Sequence, residues 1–204
     1  MNSLIKISNI THIINNKKIV DIKDLSITKE GISFIIGSNG SGKTTLLKIL
    51  SRIIFPTYGT VEYPDGYESA YVFQDPVFLN RSVIQNLKYV LEIKIQKSLT
   101  SINAQIINIL DEYKLLHIKN VNANHLSGGE KQMISIIRAI LTRPKILFLD
   151  EPTSNLDSVH KDMIQKIITN YSINNKVVWI TQGSQYKQVT ESQIIKLSKG
   201  KLNK

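Results

Sequence analysis

Cysteine is absent from the chain, which excludes disulfides, zinc ribbons and thiolate catalysis and fits a reducing compartment. No run approaches the roughly eighteen consecutive apolar residues of a membrane-spanning helix. The start, "MNSLIKISNI", lacks the apolar core of a signal peptide, so the chain is not expected to cross a bilayer by itself. Glycine and proline, 10 and 5 residues, are too few to imply disorder. Acidic residues are the minority, 16 against 26 Lys and Arg for a formal charge of +10. That balance fits nucleic acid, an anionic membrane surface or simply a lysine-rich composition; the lysines are dispersed, which favours the last. What is present, 42% hydrophobic and 21% charged residues over 204 positions, suffices for one core with a small appended subdomain.

Short β-rich runs alternate with helical patterns, and there is no internal repeat or low-complexity linker. This is the mark of an α/β fold with a mostly parallel core sheet and crossover helices. Strands are expected at Leu4–Ile10, Ile32–Ile36, Tyr71–Phe73, Ile146–Leu149, Val177–Thr181 and Gln193–Leu197. Runs such as "ILFLD" and "VVWIT" are continuously apolar, as strands buried on both faces should be. From about Asp75 to Asn124 the strand signal gives way to helices, a helical subdomain inserted in a single domain spanning 1–204. Ser82 and Gln85 have capping-box spacing ahead of "NLKYVLEI". Ile102, Ile106, Ile109, Tyr113 and Leu116 recur at helical intervals. Trp179, the single tryptophan, belongs in the core.

Gly37, Gly40, Gly42, Lys43 and Thr44 complete the pattern G-x-x-x-x-G-K-[ST] directly after the strand "ISFII" and at the start of the helix "KTTLLKIL". Glycines allow successive backbone N–H groups to turn inward around an anion, the helix N-terminus adds positive potential, and Lys43 offers a point charge to phosphate. With Ser38, Asn39, Ser41 and Thr45 the loop is expected to cradle phosphate, and Thr44 would ligate magnesium. At the end of a later strand, Asp150 suits the metal and Glu151 the general base that orients water. A second glycine pair, Gly128 and Gly129 after Ser127, opens another helix whose apolar face carries Met133, Ile136, Ile137, Ile140 and Leu141. Its N–H groups likewise point at an anion.

"GSNGSGKT", "VFQDP", "LSGGEKQ", "ILFLDEP" and "SNLD" follow the order and approximate spacing of the ATP-binding cassette (ABC) ATPases, and the resemblance covers nearly the whole chain. It implies a P-loop NTPase with a mostly parallel core sheet, a small antiparallel β subdomain and the helical insertion. It further implies ATP hydrolysis with Mg2+. Catalytic roles fall to Glu151, Gln74, Gln182 and Lys43, and metal contacts to Thr44, Gln74 and Asp150. Ser127, Gly128 and Gly129 resemble the signature loop, which in the family closes over the nucleotide held by a partner arranged head to tail. Asp157 resembles the aspartate of the loop after the catalytic glutamate. A second ATPase subunit, with a homodimer expected, follows from this resemblance. So does a separate transmembrane permease docked on the helical subdomain at Asp75, Phe78, Leu79, Asn80 and Arg81, which are expected to be exposed, with a substrate-binding protein as a further partner.

Two positions depart from the family pattern. The strand "VVWITQ" places Gln182 where the family has a histidine that contacts the γ-phosphate; an amide donates a hydrogen bond but shares no proton. Slow turnover with ATP binding retained is the expectation. Ile14 stands where an aromatic ring ordinarily stacks on adenine, a loss of about 1 kcal/mol, with His12 nearby. The segment from Lys43 to Gln74 is short, a trimmed β subdomain. His117, His125 and His160 lack metal spacing and are expected to be exposed polar residues. The phrasing resembles tungstate- and phosphate-type importers. An exporter subunit for heme or a lipid, and a slow regulatory or non-transport cassette acting on DNA or translation, are the alternatives. No specific nucleic acid is expected, and the place of work is the inner face of the cell membrane.

Overall fold

The computed structural model describes residues 3–94, 99–182, 187, 189 and 192–203. Its central sheet has the order β5-β6-β7-β3-β8-β9, comprising Ser69–Val72, Ile146–Asp150, Lys176–Thr181, Ile32–Ile36, Gln193–Ser198 and Lys201–Leu202. All pairings are parallel except β8 with β9. Side chains alternate between its faces, as a two-residue period requires. Phe34, Leu147, Leu149, Val177 and Trp179 face one core cluster, while Ile35, Ile146, Phe148, Val178 and Ile180 face the other. Both faces are covered, which is why these strands read as unbroken apolar runs.

The first cluster lies under helices α2 (Val83–Lys94), α3 (Leu99–Glu112), α4 (Gly128–Leu141) and α5 (Ser158–Ser172). Ser82 and Gln85 form the expected reciprocal cap, with Ser82 N donating to Gln85 Oε1 at 3.1 Å and Gln85 N to Ser82 Oγ at 3.4 Å. The second cluster joins α1 (Lys43–Leu50) to an antiparallel sheet of order β2-β1-β4, formed by Lys17–Thr28, Ser3–Ile14 and Tyr58–Glu62. The expected strand at Leu4–Ile10 is the middle of the longer β1. Strands β2 and β4 were not expected. Asn15 and Asn16, at φ 47° and 60°, form the tight turn between β1 and β2, a conformation that asparagine tolerates better than most residues. The strand expected at Tyr71–Phe73 runs instead over Ser69–Val72, parallel to β6.

Trp179 is fully buried, its ring 5.3 Å from that of Phe34. Lys176 is 1% exposed, and its ammonium donates to Thr28 Oγ1 at 3.0 Å and Glu30 O at 2.9 Å. This pins the end of β2 to the central sheet.

Candidate active site

The loop between β3 and α1 is shaped by two close approaches. A Cβ on Gly37 would lie 2.1 Å from the carbonyl oxygen of Leu197, and one on Gly42, at φ 97°, 2.7 Å from that of Ile19. No side chain fits at either position. The closed loop turns its Lys43 inward, 5% exposed, where Nζ donates to Gly37 O at 3.0 Å and Ser38 O at 3.1 Å. Lys43 Nζ also stands 3.8 Å from Glu151 Oε1. Thus the cation of the cradle faces the carboxylate expected to orient water.

Parallel pairing of β6 between β5 and β7 carries Asp150 to the same end of the sheet. Thr44 Oγ1 donates to Asp150 Oδ1 at 3.1 Å, and Tyr71 OH to Oδ2 at 2.8 Å. Burial pushes the Asp150 carboxyl up from its ordinary value, and these two hydrogen bonds counter that shift. Burial and the neighbouring Asp150 in turn raise Tyr71 well above a normal phenol, so it stays a donor. Glu151 takes φ 48°, a left-handed conformation that costs about 1–3 kcal/mol unless surroundings impose it. Here they do. Its N–H donates to Ile180 O at 3.1 Å, and its carbonyl accepts from Ser154 N at 3.0 Å and Ser154 Oγ at 2.9 Å. The Glu151 side chain then meets Gln182, whose Nε2 donates to Oε1 at 2.6 Å.

Lys43, Thr44, Glu151 and Gln182 border one cavity of about 880 Å³, lined by Asn39 to Thr45, Gln74, Glu151, Ser154, Asn155 and Gln182, with Lys17 and Ile19 of β2 on the remaining side; Asp150 and Tyr71 stand behind Thr44. Gly37 and Ser38 act behind this lining through the carbonyls that hold Lys43. Ile14 is 46% exposed at the end of β1 and does not line the cavity; the hairpin contributes Lys17 and Ile19 instead. An adjoining smaller cavity lies between Gln74, Glu151 and the start of α4, including Gly128 and Lys131.

The donors fit magnesium with a nucleotide. Thr44, Asp150 and Gln74 offer hard oxygen atoms and a single carboxylate, a set that suits an ion held largely by phosphates and water. Ser41 Oγ is buried without a hydrogen-bond partner among the described residues, a donor available to a phosphate oxygen. Magnesium would supply charge neutralisation of the phosphates there.

The second glycine pair behaves differently. Ser127 caps α4 in a capping box, its N and Oγ donating to Glu130 Oε2 at 2.8 and 2.7 Å, and these bonds hold the Glu130 carboxyl below its ordinary value. Ser127, Gly128 and Gly129 do not line the cavity of the cradle. Neither does Asp157, which caps α5 by accepting from His160 N at 2.9 Å.

The ABC transporter family model matches residues 20–154. The chain belongs to the ABC transporter ATPase family. A tungstate uptake system ATP-binding protein, TupC of Peptoclostridium acidaminophilum, is 31% identical to this cassette over 97% of this chain and 96% of the relative. A probable iron export ATP-binding protein, FetA of Escherichia coli, is 32% identical over 87% of this chain and 84% of its own length. Among solved structures, a dimeric ATP-binding cassette in a post-hydrolysis state with ADP and Pi superposes with a TM-score of 0.87. It is 24% identical and covers 98% of this chain and 97% of that one, a likeness of fold.

The stretch Gly37 to Thr45 runs from the end of β3 into the first turn of α1, and the carboxylates Asp150 and Glu151 stand at the end of β6, beside Tyr71, Lys17, Ile19, Ser154 and Asn155, which the sequence had not singled out. Ser154 and Asn155 were within reach, lying just after "DEPT". Tyr71 acts from a neighbouring strand, which spacing does not reveal. Two further expectations need correction. Phe78 is half-buried, with the Arg138 guanidinium 4.6 Å from its ring, while Val77, at 80%, and Leu79, at 41%, are exposed apolar residues of that loop. His160 is not a free surface side chain; it is half-buried against Gly129.

Proposed function

We propose that this cassette hydrolyses ATP as the motor of an importer for a small oxyanion such as tungstate, acting through a separate membrane subunit from the inner face of the cell membrane. The observation that carries the motor reading is the convergence of Lys43, Thr44, Glu151 and Gln182 on one cavity, with Asp150 bonded to Thr44 behind its wall. Lys43 and the loop N–H groups bind the phosphates, Thr44, Asp150 and Gln74 hold magnesium, and Glu151 orients the attacking water. Gln182 holds Glu151 by a neutral donor, so turnover of the undocked cassette is slow by the standard of a histidine at that place and rises on docking to the membrane subunit.

Ser127, Gly128 and Gly129 do not line the cavity of their own cradle, which supports a head-to-tail homodimer in which they cap the partner's ATP. No helix among the described residues is long and apolar enough to cross a membrane, in keeping with a permease on another polypeptide. Its docking surface is the loop bearing Val77 and Leu79, 80% and 41% exposed. Asn86, 2% exposed, fixes this loop through bonds with Leu79 N, Leu79 O, Arg81 O and Ser82 O.

Oxyanion import is favoured by the tungstate relative, which matches almost end to end. Export has the iron relative in its favour. Recovery of the membrane partner from native cells, followed by ATPase assays of the reconstituted complex, separates them. Stimulation by tungstate presented with a binding protein supports import, and stimulation by iron without one supports export. Turnover that stays slow in the docked complex would mark a regulator and overturn the motor reading.

A further inference from the structure

His160 sits where the two partner-facing elements of the cassette meet. A Cβ on Gly129 would fall 2.3 Å from His160 Cδ2 and 2.4 Å from Cγ, so the imidazole rests directly on the backbone of the first turn of α4. On its other side Nδ1 lies 2.6 Å from Asp157 Oδ2, while the His160 N–H donates to Asp157 Oδ1 at 2.9 Å. Gly128 approaches the same region, with a Cβ there lying 4.0 Å from Leu156 Cδ2. One ring therefore joins the signature turn, Ser127 to Gly129, to the Asn155–Asp157 loop. This contact calls for glycine at 129, since the space of a methyl group is taken by the ring.

We propose that His160 is a positioning residue that locks these two loops into one rigid unit, so that both reach the nucleotide of the second copy in register. This rests on the head-to-tail dimer proposed above. With the ring removed, the start of α4 keeps its capping box but loses its lateral stop, and the two loops arrive independently.

The test uses the full chain with Glu151→Gln to prevent turnover. Dimer formation against Mg-ATP concentration is followed by sedimentation velocity, alongside ATP affinity of the monomer, melting temperature and amide exchange at residues 128–131. His160→Ala should raise the ATP concentration needed for dimerisation about tenfold, the scale of one lost hydrogen bond, with monomer affinity within about twofold because the cradle is untouched. Exchange at 128–131 should quicken. His160→Phe keeps a ring without the Asp157 link, His160→Asn keeps reach to Asp157 without the ring, and each should fall between. Gly129→Ala should be better tolerated when combined with His160→Ala than alone, because the methyl group then occupies the ring's place. Unchanged dimerisation and exchange in His160→Ala would overturn the role of His160 alone. A parent Glu151→Gln chain that stays monomeric would overturn the dimer, and with it the purpose assigned to the lock.

Discussion

Gln182 offers the sharpest test of how the site works. Its amide donates to Glu151 Oε1 at 2.6 Å, a hydrogen bond to a charged acceptor, worth about 1.5–3 kcal/mol where shielded. Gln182 is exposed, so the lower figure applies, and about 1.4 kcal/mol is tenfold in rate. Gln182→Ala should therefore lower kcat about tenfold with little change in ATP affinity, since Lys43 and the loop are untouched. Gln182→Glu should cost more, because two carboxylates a few ångströms apart repel by about 1–4 kcal/mol depending on solvent access. Gln182→His should raise kcat and add a limb to the pH profile near the ordinary imidazole value of about 6.5. The assay is steady-state phosphate release, with melting temperature and nucleotide affinity as controls. Full activity in Gln182→Ala, or a histidine variant no faster than the parent, would refute the role given to this amide.

Three further outcomes follow from local geometry. Gly37→Ala would drive a methyl group into the Leu197 carbonyl; overpacking of this kind costs about 1–3 kcal/mol, and here the obstacle is backbone, so calorimetry should show a lower melting temperature and titration a loss of ATP binding. Lys176 is buried, and burial lowers its ammonium to about 8. Below that pH both folded and unfolded chains carry the proton and the full desolvation cost stands. Between about 8 and the ordinary 10.5 only the unfolded chain holds it, so this group adds stability as pH rises, on the order of 2–3 kcal/mol. Denaturant titrations at pH 7.5 and 10 should show that gain in the parent but not in Lys176→Met. Asn86→Ala leaves Leu79 N without its side-chain acceptor; a cost of about 2–3 kcal/mol in stability is expected, together with faster amide exchange at residues 77–81.

Residues whose spacing is imposed by chemistry were legible in the sequence. Gly37, Gly40, Gly42, Lys43 and Thr44 fall in the passage from β3 into the first turn of α1, as their spacing required, and Asp150 closes β6 with Glu151 just beyond it. Buried strands also declared themselves. Strand β4 did not, because "YGTVE" is almost wholly exposed and is held by its pairing with β1. Strand β2 was obscured by its charged residues, although the Asn15–Asn16 pair marked the turn before it. Ile14 was assigned by position along the chain, whereas the cavity wall is formed across the hairpin turn, by Lys17 and Ile19 of β2. His160 was dismissed for want of metal spacing. Its partner is a glycine thirty-one positions away (160 − 129) on another helix, and no sequence pattern reports such a contact.

The central claim, that one chain's cradle works with another chain's signature turn, is tested most directly by mixing two inactive variants. Lys43→Ala disables the cradle and Ser127→Arg disables the signature turn. A mixed head-to-tail pair contains one site with both defects and one site with neither, so ATP hydrolysis should reappear on mixing. If each chain instead used its own signature turn, no intact site would exist, and a mixture as silent as its components would contradict the account.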